Sequence, residues 1–215
     1  MQRRRMLAAV PAVAMGALTA GCLDVLREDT LEYESQPAAV AEAVANREGY
    51  ELENRDEFVI DEEADVPLLG NRRVLITNHI ANYSLAGIDE QVTGLLVASS
   101  PKAEVAGQGM NPLGRVPLED LIDQIDEGEA GDSDVEDEEA ESTEIRVLGT
   151  DTEALKIPST TETDDGQEIE TYVYVTRVAN EGDYVISVGM LPRQLEGQES
   201  SVYAMMEGIE HPVSP

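Results

Sequence analysis

With 215 residues, 41% of them apolar, the chain is long enough for one ordinary domain with its own core. Trp is absent and Phe58 is the only phenylalanine, so that core is expected from Val, Leu, Ile, Ala and Tyr. Forty-five acids stand against 14 bases, a formal charge of -31, which leaves no basic patch for phosphates and argues against nucleic acid as a partner.

The first residues carry a charged start, Arg3-Arg4-Arg5, followed by an apolar stretch from Met6 to Ala20 that is short for a membrane span. This reads as a signal peptide over residues 1–21. Arg3 and Arg4, then one residue, then Met6-Leu7, fit the twin-arginine form. The leader ends Leu18-Thr19-Ala20-Gly21-Cys22, the small-residue pattern of a lipobox, so Cys22 is expected to carry a lipid. As the chain's single cysteine, it has no partner for an internal disulfide. Removal of the leader's three arginines leaves 11 bases against 45 acids, about -34. Acids spread along the whole mature chain, with only Lys102 and Lys156 as lysines, point to a protein of molar salt. There the Debye length falls to about 3 Å and self-repulsion is screened.

Residues 22–30 read as a tether and 31–212 as a single domain. Leu31 to Glu34 alternates like a short strand, and Pro37 to Asn46 reads as a helix stopped at Gly49. Strands are predicted at Glu57–Ile60, Arg73–Ser84 and Gln91–Ser99, with turns at Pro67, Gly70-Asn71 and Asn111–Gly114. In the long strand Val74, Ile76, Asn78, Ile80 and Asn82 share one face, and Leu75, Thr77, His79, Ala81 and Tyr83 the other. Leu118 to Ile125 has helical spacing. The acidic stretch 126–144 reads as a disordered loop, too charged to bury itself. Ile145–Leu148, Glu153–Pro158, Tyr172–Val178 and Tyr184–Leu191 are expected as strands. Hairpin turns are expected at Asp164–Gln167 and Asn180–Asp183. Val202, Met205, Met206 and Ile209 stripe a C-terminal helix. The sum is an α+β class, an antiparallel β-sheet flanked by a few α-helices.

Several stretches resemble a family of small haloarchaeal lipoproteins of unknown function. They are Leu18–Cys22, Thr77–Tyr83, Gly107–Pro112, Val147–Thr150 and Met206–His211. The strand pair Tyr172–Val178 and Tyr184–Leu191, leading to a helix over 198–210, more loosely resembles the fold of the photosystem extrinsic subunit PsbP and the nuclear transport factor Mog1. Such a likeness implies a fold, not a function.

No catalytic or phosphate-binding motif is present. His79 and His211 lie outside any metal-ligand spacing, and His211 is expected near the end of the last helix, where a cation suits the dipole. Asp132 to Asp137 lacks the glycine of a calcium loop, and no metal or cofactor is expected. Asn82-Tyr83-Ser84 is a glycosylation acceptor sequence. Asn78 and His79 are the weak candidates for a ligand site. The expectation is a lipid-anchored, extracytoplasmic, non-enzymatic module that meets the membrane through Cys22 and binds a protein, glycan or small molecule. The alternatives are an envelope hydrolase or metal-dependent enzyme using His79, and a small solute-capturing lipoprotein.

Overall fold

The computed structural model describes residues 30–66, 70–87, 93–105, 108–109, 111–114, 116–118, 121, 133–135, 140–163 and 166–214. The expected signal peptide (1–21), Cys22 and the tether to Asp29 lie outside these residues. No helix among the described residues is long and apolar enough to cross a membrane.

Thirteen strands are described: β1 (Thr30–Glu34), β2 (Ala39–Val40), β3 (Tyr50–Val66), β4 (Gly70–Leu85), β5 (Gly94–Pro101), β6 (Glu104–Val105), β7 (Gln108–Gly109), β8 (Ser133–Val135), β9 (Glu141–Val147), β10 (Thr150–Glu162), β11 (Glu168–Asn180), β12 (Asp183–Pro192) and β13 (Ile209–Glu210). Two short helices, α1 (Glu42–Glu48) and α2 (Glu199–Glu207), join them. The molecule is therefore mostly sheet, richer in strand than the α+β expectation.

One nine-stranded sheet holds the fold together. From β3 it runs through β4, β5, β12, β11 and β10 to β9, every neighbouring pair antiparallel. β1 extends the β5 side of β4 and pairs with it in parallel, a departure from the all-antiparallel expectation. β8 pairs with the far half of β10 beside β9. The central strand β11 reads Tyr172-Val173-Tyr174-Val175-Thr176. Its aromatic and β-branched residues suit a pleated surface buried on both sides.

The two faces carry different covers. On one, α1, α2, β2 and β13 bury Ala81, Tyr83, Leu95, Val97, Tyr174, Val178 and Leu191. Val202, Met205 and Met206 of α2 are fully buried there, worth about 2 kcal/mol each. Gly189 makes this approach possible, since a Cβ at that position would stand 2.8 Å from Val202 Cγ1. On the other face, Leu113, Val116, Leu118 and Leu121 lie over Ala98, Val173, Val175, Ile157 and Ile186. The long strand β4 records the changeover. Val74, Ile76 and Asn78 are its buried residues at one end, Ala81, Tyr83 and Leu85 at the other.

Several boundaries differ from the sequence expectation. Pro37 to Val40 is not helical. Val40 and Ala39 pair with β13, and the helix runs from Glu42 to Glu48, closed by Gly49 with its left-handed φ of 82°. The C-terminal helix ends at Glu207, and Ile209 belongs to β13. Val44 packs where a side chain on Gly208 would stand, which brings the two helices together. The acidic stretch 126–144 is not wholly a loop. Ser133–Val135 and Glu141–Glu144 are strands paired with β10, because backbone pairing at a sheet edge does not require apolar side chains. Of the expected Leu118–Ile125 helix, only Leu118 and Leu121 are described, and both pack on the sheet.

Candidate functional site

Three polar clusters stand out among the described residues. The first surrounds His79 on β4. Cross-strand pairing sets Glu57 of β3 opposite it, and Glu34 ends β1 nearby. Glu57 Oε1 lies 3.5 Å from Nδ1 and Glu34 Oε1 lies 3.8 Å from Nε2, while the imidazole itself is largely buried. The two carboxylates thus approach opposite ring nitrogens. One cation cannot collect all three groups, because the ring stands between the two acids. No cluster of three or more His, Cys, Asp or Glu suited to a metal ion is found among the described residues.

Asn78 is next to His79 in sequence but on the other face, so the two do not line one site. Its amide is fully buried and donates to Ile76 O (3.1 Å) and Phe58 O (3.3 Å), while Ser100 Oγ donates to its Oδ1. Asn111 continues the network, donating to Ser100 Oγ (2.6 Å) and Pro101 O (2.5 Å) and accepting from the Leu113 N–H (2.9 Å). This chain of bonds fixes the 111–114 segment to the sheet. Arg177 adds to it, donating through Nη1 to Leu113 O and Val116 O, each at 2.8 Å. Asn82 lies on β4 between two strands and donates to Asn54 Oδ1 (2.8 Å). An acceptor site for a glycan would therefore sit within a paired strand.

The second cluster is one that sequence reasoning missed. Lys156 on β10 points into the helix-covered face. Its Nζ donates to Glu196 Oε1 (2.8 Å), lies 3.4 Å from Glu199 Oε1, and sits 4.1 Å from the Tyr172 ring centroid. The Arg193 guanidinium also approaches that ring, at 5.2 Å. Tyr174 and Tyr203 meet edge to face with centroids 5.6 Å apart, and the Tyr203 hydroxyl donates to Glu199 Oε1 (3.1 Å). Burial pulls the Lys156 ammonium down, but the bond to Glu196 and the charges of Glu199 and Glu196 outweigh it and leave the group above the ordinary lysine range. Held protonated, this amine is no nucleophile at neutral pH. It acts as a cationic clamp joining α2 and the turn before it to the sheet. The signal in the sequence was slight: Lys156 is one of only two lysines, within an otherwise apolar stretch.

The third cluster corrects the expectation for His211. It follows β13, not a helix end, and its side chain is completely buried. Nε2 faces Asp183 Oδ2 (3.1 Å) and Gln36 O (3.2 Å), and Nδ1 lies 3.0 Å from Asn180 Oδ1. Two acceptors at Nε2 place a proton there. Asp183 Oδ2 also accepts the Gln36 N–H at 2.9 Å. Both ring nitrogens are engaged, so this imidazole presents no free nitrogen to a substrate.

No match was found among curated proteins. Among solved structures, one similar chain is the solution structure of cyanobacterial PsbP (CyanoP) from Synechocystis sp. PCC 6803. It is 12% identical, covers 82% of this chain and 92% of its own, and has a TM-score of 0.38. The chain belongs to the family described as "Domain of unknown function (DUF6517)", whose model matches residues 37–210.

Proposed function

We propose that this chain is an exported protein of a salt-loving archaeon, held on the outer face of the cell membrane by a lipid on Cys22, and that its sheet domain is a non-enzymatic binding or envelope-support module. The observation that carries the reading is the order of the N-terminal sequence. Arg3, Arg4 and Arg5 precede an apolar stretch, which ends Leu18-Thr19-Ala20-Gly21-Cys22, and the fold begins only eight residues later at Thr30. The formal charge of -31 supports the salt habitat. Two acyl or ether chains on one residue would anchor stably, where a single chain would not.

Replacement of Cys22 by Ser in the native host tests this. The expected result is loss of leader removal and release of the chain from the membrane fraction. Normal trimming with continued membrane association would overturn the anchor. A second reading, an envelope enzyme using His79, keeps some support from the two carboxylates beside that ring. A deletion strain separates the two. Complementation by His79→Gln equal to wild type supports the binding module, and failure of a normally folded His79→Gln supports the enzyme.

A further inference from the structure

Among the described residues the edge strand β3 pairs only with β4, so the outer backbone groups of a 17-residue strand are open. An open edge of that length is a template for another strand. Three large apolar side chains stand exposed among the described residues, and all three lie on β3. They are Leu52 (46%), Phe58 (37%) and Val59 (55%). A bulge between Leu52 and Asn54 interrupts the strand, and beyond it the pairing with β4 is regular. Phe58 and Ile60 face Asn78 and Ile76 of β4, whereas Glu57 and Val59 face His79 and Thr77 on the opposite side.

We propose that β3 pairs antiparallel with β3 of a second copy of this chain, about a two-fold axis at Phe58. Two-fold pairing needs one self-complementary surface. An axis normal to the sheet keeps each face of the sheet on its own side. A residue can then face only a residue of its own face, so one residue must face itself. With Phe58 at the axis, Glu57 faces Val59, Asp56 faces Ile60, Arg55 faces Asp61 and Asn54 faces Glu62 of the second copy. No acid in this stretch faces an acid, and Arg55, the one base of β3, faces a carboxylate.

The neighbouring registers lack this complementarity. An axis at Glu57 sets that carboxylate on itself. An axis at Val59 sets Asp56 on Glu62 and Glu57 on Asp61, each twice, and an axis at Ile60 sets Glu57 on Glu63. Like charges directly opposite destabilise a strand pair. The acids of β3 thus oppose other registers and leave the one centred on Phe58. There the two Phe58 rings meet, and Ile60 of each chain lies diagonal to the other's ring. Ile60 already packs against Leu31, Val74 and Ile76, so this apolar cluster continues across the axis. Two chains of formal charge -31 repel in dilute buffer, and molar salt screens that repulsion to about 3 Å. The pairing does not depend on the lipid anchor.

The parent for the test is the full chain carrying Cys22→Ser, which leaves no thiol. Directly opposite residues of an antiparallel pair have Cα atoms about 4.5–5.5 Å apart, within reach of a disulfide, whereas diagonal ones stand about 7–8 Å apart. Oxidation of Phe58→Cys in molar potassium chloride is therefore expected to give a covalent dimer. Val59→Cys alone is expected to give little, and a mixture of Glu57→Cys and Val59→Cys chains is expected to give the mixed disulfide. Both positions in that mixture are exposed, so it tests the pairing even where loss of the Phe58 ring harms folding. Sedimentation equilibrium of the parent is expected to show monomer and dimer. A parent that stays monomeric at every concentration reached overturns the proposal. So does a dimeric parent whose Phe58→Cys and mixed pairs do not cross-link. Cross-linking of Val59→Cys as complete as that of Phe58→Cys overturns the register. Oxidation in host envelopes that joins Phe58→Cys only to a different polypeptide overturns self-pairing.

Discussion

His211 Nε2 lies 3.1 Å from Asp183 Oδ2, and this contact ties the last described segment of the chain to the turn between β11 and β12. The same carboxylate accepts the Gln36 N–H, so one aspartate joins segments near both ends of the fold. Asp183→Ala leaves the Gln36 N–H without its acceptor and the buried imidazole N–H with Gln36 O alone, at a cost of about 1–3 kcal/mol. Asp183→Asn keeps an acceptor oxygen and is expected to cost less. Denaturant midpoints in molar salt measure both, and wild-type stability in Asp183→Ala would show that the clasp contributes nothing.

The Asn78–Ser100–Asn111 network makes a local prediction. Asn111 bridges the sheet to the segment over Ala98, Ile186 and Val175, and its Oδ1 accepts the Leu113 N–H. Asn111→Ala is expected to destabilise by about 2 kcal/mol, chiefly through the unpaired groups it leaves. Its signature is regional. Hydrogen exchange at Leu113 accelerates before exchange in β11 does, and a uniform change across the fold would argue that the network does not hold the segment.

Gly189 tests the opposite face. A methyl group there would stand 2.8 Å from Val202 Cγ1 and 3.3 Å from Leu95 Cδ1. Gly189→Ala must push α2 off the sheet or distort the packed side chains, for about 1–3 kcal/mol. Pairing it with Val202→Ala removes the collision. The double variant is expected to lose less than the sum of the two single changes, and simple additivity would show that Val202 is not the obstacle.

The central strands were legible because β11 and β12 bury alternating and β-branched residues between turn signals. β3 was read as four residues although it spans seventeen. As an edge strand it bears Glu53, Asp56, Glu57, Asp61, Glu62, Glu63 and Asp65, which erase apolar alternation and guard the open edge. β8 and the first half of β9 were hidden by acids for the same reason. Ile209 kept helical spacing, but the helix ends at Glu207 and Ile209 pairs instead with Val40 of β2. The clusters around Lys156 and His211 were not legible, since the hydrogen-bond partners of these two residues lie 28 to 175 residues away along the chain. Periodicity reports which face a residue takes, not what it meets there.

Buried hydroxyls and the clamped lysine together set the alkaline limit of the fold. Desolvation, with a smaller push from the Glu48 charge, raises the Tyr50 hydroxyl from 10.0 to about 12, and burial raises Tyr174 in the same direction. Lys156 is also raised. Each group holds its proton more tightly folded than unfolded. The stability it contributes is therefore full below the unfolded value and is lost as pH rises through the folded value. Denaturation midpoints in molar salt are expected to be unaffected by these groups from pH 7 to about 9 and to fall steeply above about 10. Tyr50→Phe removes one such group, so its midpoint is expected to fall less steeply between about pH 10 and 12, whatever packing it loses at pH 7. A variant whose alkaline slope matches wild type would show that Tyr50 ionises as freely in the fold as in the unfolded chain.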